Sequence, residues 1–351
     1  MLDRNEDRMH DRISAGDWEY CHRILPQVSR TFALNIAQLE GDIFKTVLLG
    51  YLLFRIADTF EDTMYQDERE KITDLKDFLA IFMGDKDLPH RLRLYESLKF
   101  RWKENSYEKD LIENGHRVLR CYFDVPATHR RIIDPLLVET SEGMAEFQKR
   151  KLESNSRVFQ LADMRDLEDY CYYVAGIVGV MLTKLFCEKK SIGEKRSELE
   201  KLQIHFGTAL QLINIIKDYK KDIARGWCYI PLTITDKYRI ELSKLEILSM
   251  KQTQGIIEDM IPPIVAYLDS TLRYIQLLPL REKAIRLFCI IPFILGYRTL
   301  LKIVKMEGNK VSREEIASIL HKSNIYAESN RSLEEDYLKT RRDYFDSHNL
   351  S

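Results

Sequence analysis

Apolar residues recur every three or four positions along most of the chain, from about Ala15 onward. This spacing places them on one face of a helix, so the pattern predicts α-helices throughout, and no segment shows the alternation of an exposed strand. The pattern is interrupted at four short segments: 84–89, 189–195, 224–231 and 307–311. We therefore predict an all-α, single domain over residues 1–351, with a core at about 20–325 and a charged tail at about 328–351.

Prolines refine two of the predicted helices. Pro262 and Pro263 lack a backbone donor and suit the first turn of a helix, so we expect a helix to start there and to run toward Leu278. Pro292 lies in an apolar helix that begins near Lys283, and we expect it to interrupt that helix.

The segment 47–62 is apolar around most of its helical circumference, except along one stripe. The polar exceptions lie at offsets 0, 4, 7 and 11: Tyr51, Arg55, Asp58 and Asp62. At about 100° per residue they fall within about 60° of arc. Unpaired charge is costly in an apolar interior, so the stripe must face a partner, a metal or a water-filled cavity. An Arg55–Asp58 ion pair buried for packing is an alternative, although it leaves Asp62 unexplained.

A second segment, 210–222, repeats this design. Its polar positions lie within about 80° of arc and are Gln211, Asn214, Asp218 and Asp222. A single pair of carboxylates one helical turn apart is usually a solvated helix face. Two such pairs on otherwise apolar helices instead favour two sides of one cavity.

Carboxylates one turn apart supply hard oxygen ligands, and these suit Mg²⁺, which water and substrate phosphates complete. Such an ion withdraws charge from a departing diphosphate. Loss of diphosphate from an allylic carbon leaves a carbocation, which a dry, aromatic pocket stabilises. Aromatic residues available for this role, or for ordinary core packing, are Tyr51, Phe54, Phe60, Tyr170, Tyr172, Tyr173, Phe288 and Phe293. The pattern by itself predicts metal and anion binding, and Mg²⁺-dependent ionisation of allylic diphosphates is the chemistry that we expect such a site to perform.

Two further groups of residues suit an anionic substrate. Ser29 and Arg30 can offer a hydroxyl and a guanidinium to phosphate oxygens, although Ser29 serves equally well as a helix N-cap. Lys217 and Arg225 put positive charge beside the second acidic pair. The small residues of segment 176–179 favour a close approach between helices over room for a lipid chain.

Composition narrows the function further. The chain has 54 Lys and Arg against 55 Asp and Glu, so no overall field favours nucleic acid. The six cysteines show no CxxC spacing and predict buried, reduced thiols. The charged first twelve residues do not resemble a signal peptide, and the most apolar stretches, 47–54 and 287–297, are shorter than the roughly 18 residues of a membrane span. We expect a cytoplasmic protein with at most peripheral membrane association.

Several blocks together resemble the squalene/phytoene synthase family. In chain order they are SRTFALNI (29–36), YLLFRIADTFED (51–62), GMAEF (143–147), YCYYVAGIVG (170–179), QLINIIKDYKKD (211–222) and FCIIP (288–292). The resemblance covers roughly residues 29–313 and is greatest to the squalene-forming branch. It implies the isoprenoid-synthase helical fold with a central cavity. It also implies head-to-head condensation of two farnesyl diphosphates to presqualene diphosphate, followed by NADPH-dependent conversion to squalene.

The resemblance also implies roles for individual residues. The Mg²⁺ ligands would be Asp58, Glu61, Asp62, Asp218 and Asp222. Tyr170 would assist the first condensation and Phe288 the second half-reaction, with Tyr51 as a third catalytic candidate. The residues for diphosphate would be Ser29, Arg30, Arg55, Gln211, Asn214, Lys217 and Arg225. The NADPH phosphates would meet Arg30, Arg55, Lys217, Lys310 and Arg313.

The chain departs from the family pattern at three points. Arg225 precedes Gly226, where the family has Gly before Arg, and Lys217 replaces a common arginine, which keeps the charge but loses the planar fork. The membrane anchor of eukaryotic members has no counterpart, as expected of a bacterial form. The alternative functions are condensation without reduction (giving dehydrosqualene, presqualene diphosphate or phytoene), a terpene cyclase and an inactive helical scaffold. Oligomeric state is left open.

Overall fold

The structure of the protein is a computed structural model that describes residues 14–64, 66–98, 106–242 and 248–346. Nearly all regular structure in these ranges is helical, which confirms the predicted all-α class. The chain forms two compact units, residues 1–155 and 156–351. The single-domain organisation stays a prediction, and each unit is described by itself.

The first unit is built from helices whose apolar faces pack on one another. In chain order they are α1 (Ala15–Val28), α2 (Arg30–Ile36), α3 (Gly41–Asp62), α4 (Glu68–Phe82), α5 (Leu88–Glu96), α6 (Tyr107–Glu113), α7 (Gly115–Tyr122) and α8 (Ala127–Ser154). The longest contact runs between α4 and α8, and α3 packs against α1, α7 and α8. Leu48, Leu49 and Leu52 of α3 are fully buried in this core.

The second unit contains more helices and one very short parallel strand pair. Its elements are β1 (Phe159–Gln160), α9 (Met164–Cys171), a π-helical turn (Tyr172–Gly176), α10 (Ile177–Phe186), α11 (Lys190–Gly193), α12 (Arg196–Glu200), α13 (Gln203–Ala224), β2 (Trp227–Cys228), α14 (Leu232–Lys237), α15 (Met250–Leu277), α16 (Lys283–Val304), α17 (Arg313–Glu328) and α18 (Asn330–Asp346). In the strand pair Phe159 lies beside Trp227.

Helix α13 lies at the centre of this unit, in contact with α10, α15, α16 and the π-helical turn. A Cβ atom added at Gly179 would lie 1.8 Å from the carbonyl oxygen of Gln203, and one at Gly207 would lie 2.2 Å from that of Ala175. Only glycine permits these approaches. The expected close helix packing around segment 176–179 is therefore confirmed.

The effects predicted for the prolines are wrong, although α15 does run to Leu277 and α16 does begin at Lys283. Pro262 and Pro263 lie inside α15, which begins twelve residues earlier at Met250, and Pro292 lies inside the continuous helix α16. A proline removes one backbone hydrogen bond and strains the preceding turn. Here the surrounding core outweighs that cost, because Ile261 and Ile264 on α15 are fully buried, as is Phe293 on α16.

Helix α16 also bears on the membrane prediction. It has 22 residues, and an 18-residue window within it has a mean hydropathy of 1.8. By length and composition alone, α16 could therefore cross a membrane. The sequence pattern did not predict this, because the continuous apolar stretch 287–297 is shorter than a membrane span. However, 72% of this 18-residue window is buried inside the protein, as in a core helix. No other helix in the described ranges is long and apolar enough for this.

The cysteines behave as predicted. All six are free and buried. Burial raises the pKa of Cys228 to about 12 and that of Cys289 to about 12, so these thiols stay protonated at neutral pH.

Candidate functional site

Helix α3 carries the first predicted site as a half-buried polar stripe. Between positions 47 and 62, every residue is buried except four. Those four are Tyr51, Arg55, Asp58 and Asp62. The stripe predicted from periodicity is therefore confirmed in its position and its exposure, because the apolar residues between these positions pack into the core of the first unit.

Arg55 is the centre of charge on this stripe. Its guanidinium donates to Asp58 on the same helix and, over 3.1 Å, to Glu108 Oε1 on α6. Burial opposes the charge on Arg55, but Asp58, Tyr51 and Glu108 outweigh burial and raise its pKa above the usual value. The Arg55 and Asp58 side chains are 27% and 33% exposed, so this ion pair is open to solvent and is not enclosed in the core.

Tyr51 lies beside the start of α2. Its ring centroid is 5.1 Å from that of Phe32. Burial raises the pKa of Tyr51, and a hydrogen bond with Ser29 opposes part of that rise. Ser29 also caps α2, because its hydroxyl accepts from the backbone N–H of Phe32 at 3.3 Å, which confirms the N-cap interpretation. Arg30, the first residue of α2, is exposed.

Glu61 lies off the polar stripe and is only 2% exposed. Lys71 on α4, also buried, donates to the Glu61 carbonyl oxygen over 2.7 Å. Burial, with Lys151 adding to it, lowers the pKa of Lys71 to about 8. Asp58 and Asp62 thus share one half-exposed face while Glu61 belongs to a buried one. Its role as a metal ligand stays a prediction.

Helix α13 carries the second predicted site, with exposure that changes along its polar stripe. Asn214 is exposed, Gln211 and Asp218 are half-buried, and Asp222 is buried. Asn214 and Asp218 contact Lys217, whose Nζ lies 2.6 Å from Asn214 Oδ1 and 3.2 Å from Asp218 Oδ2. Burial acts to raise the pKa of Asp218, but hydrogen bonds from Lys221 and Lys217 outweigh it and lower the pKa.

Asp222 pairs with Arg225 at the end of the same helix. The Arg225 guanidinium lies 2.5 Å from Asp222 Oδ1, and Arg225 is the C-terminal cap residue of α13. Gly226 then turns the chain with a φ of +82°, a conformation that favours glycine. The order Arg225–Gly226, which departs from the family pattern, therefore places the cation one turn after Asp222 and the glycine at the turn.

Tyr170 lies within a buried group of aromatic rings. Its hydroxyl donates to the Tyr229 hydroxyl over 2.9 Å, and its ring stacks on that of Tyr229 with centroids 4.4 Å apart. The Trp227 ring stacks against both tyrosines, with its centroid 5.4 Å from that of Tyr229 and 6.4 Å from that of Tyr170. Phe288 on α16 is also buried and meets Phe186 edge to face.

The predicted cofactor residues Lys310 and Arg313 are exposed and flank the start of α17. Ser312 caps this helix, and Glu315 accepts from the Ser312 N–H in return. Because these two side chains already use the N–H groups at the start of α17, an anion there would be bound by side chains and not by the helix N-terminus. Asn309 donates to the Lys217 carbonyl oxygen over 3.1 Å. The structure thus brings the loop before Lys310 to Lys217, beside a largely apolar cavity of about 380 Å³.

The acidic residues suit Mg²⁺ in their chemistry. Their carboxylates are hard oxygen donors, and Asp58, Asp62 and Asp218 are half-exposed and so accessible to an ion. No cluster of three or more His, Cys, Asp or Glu side chains within the described ranges is placed to hold an ion. A magnesium ion here would therefore depend on water and on substrate phosphate for most of its ligands.

Sequence reasoning missed several residues that contact the predicted ones, among them Glu108, Lys71, Trp227 and Tyr229. Glu108 lies 53 positions from Arg55 and Lys71 lies 10 positions from Glu61, on a different helix in each case, so no periodic signal connects them. Tyr229 follows shortly after Arg225 and Gly226, and its contact with Tyr170 spans 59 positions.

Comparison with known proteins shows the family and the fold. The squalene/phytoene synthase family model matches residues 25–319. Squalene synthase 2 of Panax ginseng is 30% identical over 294 residues, covering 82% of this chain and 64% of that protein. The chain thus spans less than two thirds of the length of this relative.

Two solved structures superimpose on most of the chain. A complex of TcSQS with the ligand BPH1237 gives a TM-score of 0.77 at 22% identity, covering 95% of this chain and 98% of that chain. A dehydrosqualene synthase in complex with ligand gives 0.63 at 20% identity, covering 89% and 96%. These similarities confirm the isoprenoid-synthase helical fold. With a family model that matches more than four fifths of its residues, the chain belongs to the squalene/phytoene synthase family.

Proposed function

We propose that this protein is a Mg²⁺-dependent prenyltransferase that condenses two farnesyl diphosphates head to head to presqualene diphosphate and then, with NADPH, forms squalene. The observation that carries the proposal is the half-exposed acidic stripe in segment 47–62 of α3, whose other residues are all buried, in a chain of this family. The stripe leaves the carboxylates of Asp58 and Asp62 accessible to an ion and to phosphate, while the residues between them are buried.

In this proposal the carboxylates of Asp58, Asp62, Asp218 and Asp222, with Glu61, hold magnesium ions. When bound, the ions would supply Lewis-acid stabilisation of the departing diphosphate. The chain's own cations orient the phosphate oxygens. These residues are Arg30, Arg55, Lys217 and Arg225, with Ser29, Gln211 and Asn214 as polar partners. Tyr170, Tyr51 and Phe288 supply hydroxyl and aromatic surface to the cationic intermediates.

The reductive step rests on the exposed Lys310 and Arg313, with Arg30, Arg55 and Lys217 as further phosphate contacts. Asn309, which contacts Lys217, and the neighbouring apolar cavity support a dinucleotide with an anionic end and a planar ring at this loop. The main alternative is condensation without reduction. The fold similarity to a dehydrosqualene synthase is compatible with it but carries no substrate information at 20% identity.

Incubation of the purified chain with farnesyl diphosphate and Mg²⁺, with and without NADPH, tests the proposal. Squalene that forms only with NADPH supports it. Dehydrosqualene formed regardless of NADPH, or phytoene formed only from a longer diphosphate, supports an alternative in the same family. Cyclic products from one diphosphate indicate a cyclase, and no diphosphate release from any prenyl substrate indicates an inactive scaffold.

We further propose a cytoplasmic enzyme that contacts the membrane surface only peripherally. The support is chemical, because its substrate is an amphiphile and its product a hydrocarbon, while the apolar helix α16 is largely buried. Sedimentation with and without vesicles of mixed neutral and anionic lipid tests this point.

A further inference from the structure

Tyr170 is held by elements that lie outside its own helix. Its ring lies 23° from parallel with that of Tyr229, and the Tyr229 ring lies 10° from parallel with that of Trp227. Phe159 then meets Trp227 edge to face at 5.3 Å. The strand pair fixes this arrangement, because Phe159 and Trp227 are partners in the two strands. A stack of this kind restricts rotation of the Tyr170 ring.

The hydroxyls of this pair have defined roles. Tyr170 donates its proton to the Tyr229 oxygen over 2.9 Å, and both side chains are 4% exposed. Because a phenol has a single proton, the Tyr170 oxygen is left to act only as an acceptor toward any other group. Its lone pairs then present partial negative charge in a fixed direction.

We infer that Tyr229 is a positioning residue for the condensation, acting through Tyr170. The inference rests on the proposed function. Condensation of two farnesyl diphosphates expels one diphosphate and one proton, and it passes through cationic carbon. A tyrosine oxygen whose lone pairs face the cationic carbon stabilises the positive charge. A tyrosine whose hydroxyl proton faces the cationic carbon destabilises that charge. Tyr229 selects the first orientation, and Trp227 holds Tyr229 in place.

The test replaces Tyr229 by phenylalanine, which keeps the ring and the stack but removes the acceptor oxygen. Diphosphate release and formation of the condensed thirty-carbon product are measured together, with farnesyl diphosphate and Mg²⁺. We expect kcat for the condensed product to fall by about tenfold to a hundredfold, with KM within about twofold. Diphosphate release, which depends on the acidic helices, falls less. The fraction of released diphosphate that is matched by condensed product therefore drops.

Tyr274→Phe is the matched control. Tyr274 is 3% exposed and shares a 2.9 Å hydrogen bond between hydroxyls with Thr183, but it has no role in the proposed reaction. We expect Tyr274→Phe to lose as much thermal stability as Tyr229→Phe. Its product ratio, meaning condensed product formed per diphosphate released, should stay that of the unmutated chain. If Tyr229→Phe does not unfold cooperatively, Trp227→Phe, which keeps the hydroxyl pair but loosens the stack, should lower the ratio in the same direction.

Two outcomes separate this inference from the proposed function. If the unmutated chain is active and Tyr229→Phe keeps the product ratio of Tyr274→Phe, the positioning role of Tyr229 is overturned while the proposed function stands. If the unmutated chain forms no condensed product, the proposed function itself fails, and with it the role of Tyr170 on which the inference rests.

Discussion

At the scale of single residues, the shape of the Arg55 side chain matters as much as its charge. Its guanidinium contacts Asp58 and Glu108 with separate nitrogens, which holds carboxylates of two helices together. A lysine keeps the charge but offers one compact ammonium in place of the planar fork. We expect Arg55→Lys to lower kcat/KM with farnesyl diphosphate by roughly tenfold to a hundredfold, the equivalent of one charged hydrogen bond.

Arg91→Lys is a suitable control for this prediction. Arg91 is 4% exposed and lies 2.6 Å from Asp134 in the same unit, so the substitution loses a comparable fork. It should lower the unfolding temperature without changing kcat/KM of the folded protein. Equal kinetic effects of the two substitutions would contradict a site at Arg55.

Asp17 makes the stability of the first unit depend on pH. It is buried, and the guanidinium groups of Arg117 and Arg120 lie 2.9 and 3.0 Å from its oxygens. Burial acts to raise the pKa of Asp17, but hydrogen bonds from Arg120 and Arg117 outweigh it and hold the pKa far below its usual value. The stabilising effect is therefore complete above about pH 5, where the unfolded carboxyl is also ionised, and is lost progressively as pH falls further.

We therefore expect Asp17→Asn to lower the free energy of unfolding by about 3 kcal/mol at pH 7. Below about pH 4 the unmutated chain should lose stability more steeply than the variant, by about 1.4 kcal/mol per pH unit. Denaturant unfolding at several pH values measures both, with Glu19→Gln, an exposed acid of the same helix, as the control. Parallel pH curves for the unmutated chain and Asp17→Asn would show that the pair does not titrate as described.

At the scale of elements, periodicity predicted more than local proline rules did. The stripe of α3 was predictable because a buried helix sorts its residues by angle, and that angle follows from sequence position alone. The prolines of α15 and α16 misled because the rule measures a local cost, whereas the burial that offsets it comes from other elements. Glu108 and Tyr229 were not predictable for the same reason, since their contacts join distant positions.

The second unit has a buried cation that joins helix ends. Arg286, near the start of α16, is fully buried. It donates to the carbonyl oxygens of Ile275 and Leu278 at the end of α15, and to that of Ala327 at the end of α17. It also donates to Asn330 Oδ1 at the start of α18. The last carbonyl oxygens of a helix lack an internal donor, so Arg286 replaces water for those of Leu278 and Ala327. The Ile275 oxygen also accepts from the Leu278 N–H at 3.2 Å.

Arg286→Met should therefore lower the free energy of unfolding by about 3 kcal/mol, because buried carbonyl oxygens lose their donors. Thermal and denaturant unfolding give the value, and Arg281→Met, at an exposed position shortly before α16, is the control. A loss no greater than that of Arg281→Met would contradict the role given to Arg286.

At the scale of the whole molecule, the C-terminal segment shows where composition misleads. It is rich in charge and was expected as a tail, yet α18 packs on the second unit through fully buried Tyr337 and Tyr344. Tyr337 donates to Asp269 over 2.8 Å, and Tyr344 donates to the Tyr297 carbonyl oxygen over 2.7 Å. The buried face of α18 does follow helical spacing, since Leu333, Tyr337, Thr340 and Tyr344 are four, three and four positions apart. The charged residues between these positions concealed the pattern.

Family and fold were predictable from the order of short blocks along the chain, because each block combines a functional pattern with a helical face. The reaction is less determined. The two acidic helices fit a common role in diphosphate chemistry, whereas reduction depends on a few exposed cations whose charge alone does not select a cofactor.

In the proposed reaction, both acidic helices are needed to ionise a prenyl diphosphate. The most direct measurement is Mg²⁺-dependent diphosphate release from farnesyl diphosphate by the full chain and by Asp58→Asn and Asp218→Asn, with the exposed acids Asp77→Asn and Asp236→Asn as controls. We predict release that stops when Mg²⁺ is chelated, a loss of at least about a hundredfold in each site variant, and unchanged rates in the controls. Release that persists in either site variant at the rate of the controls would contradict the claim.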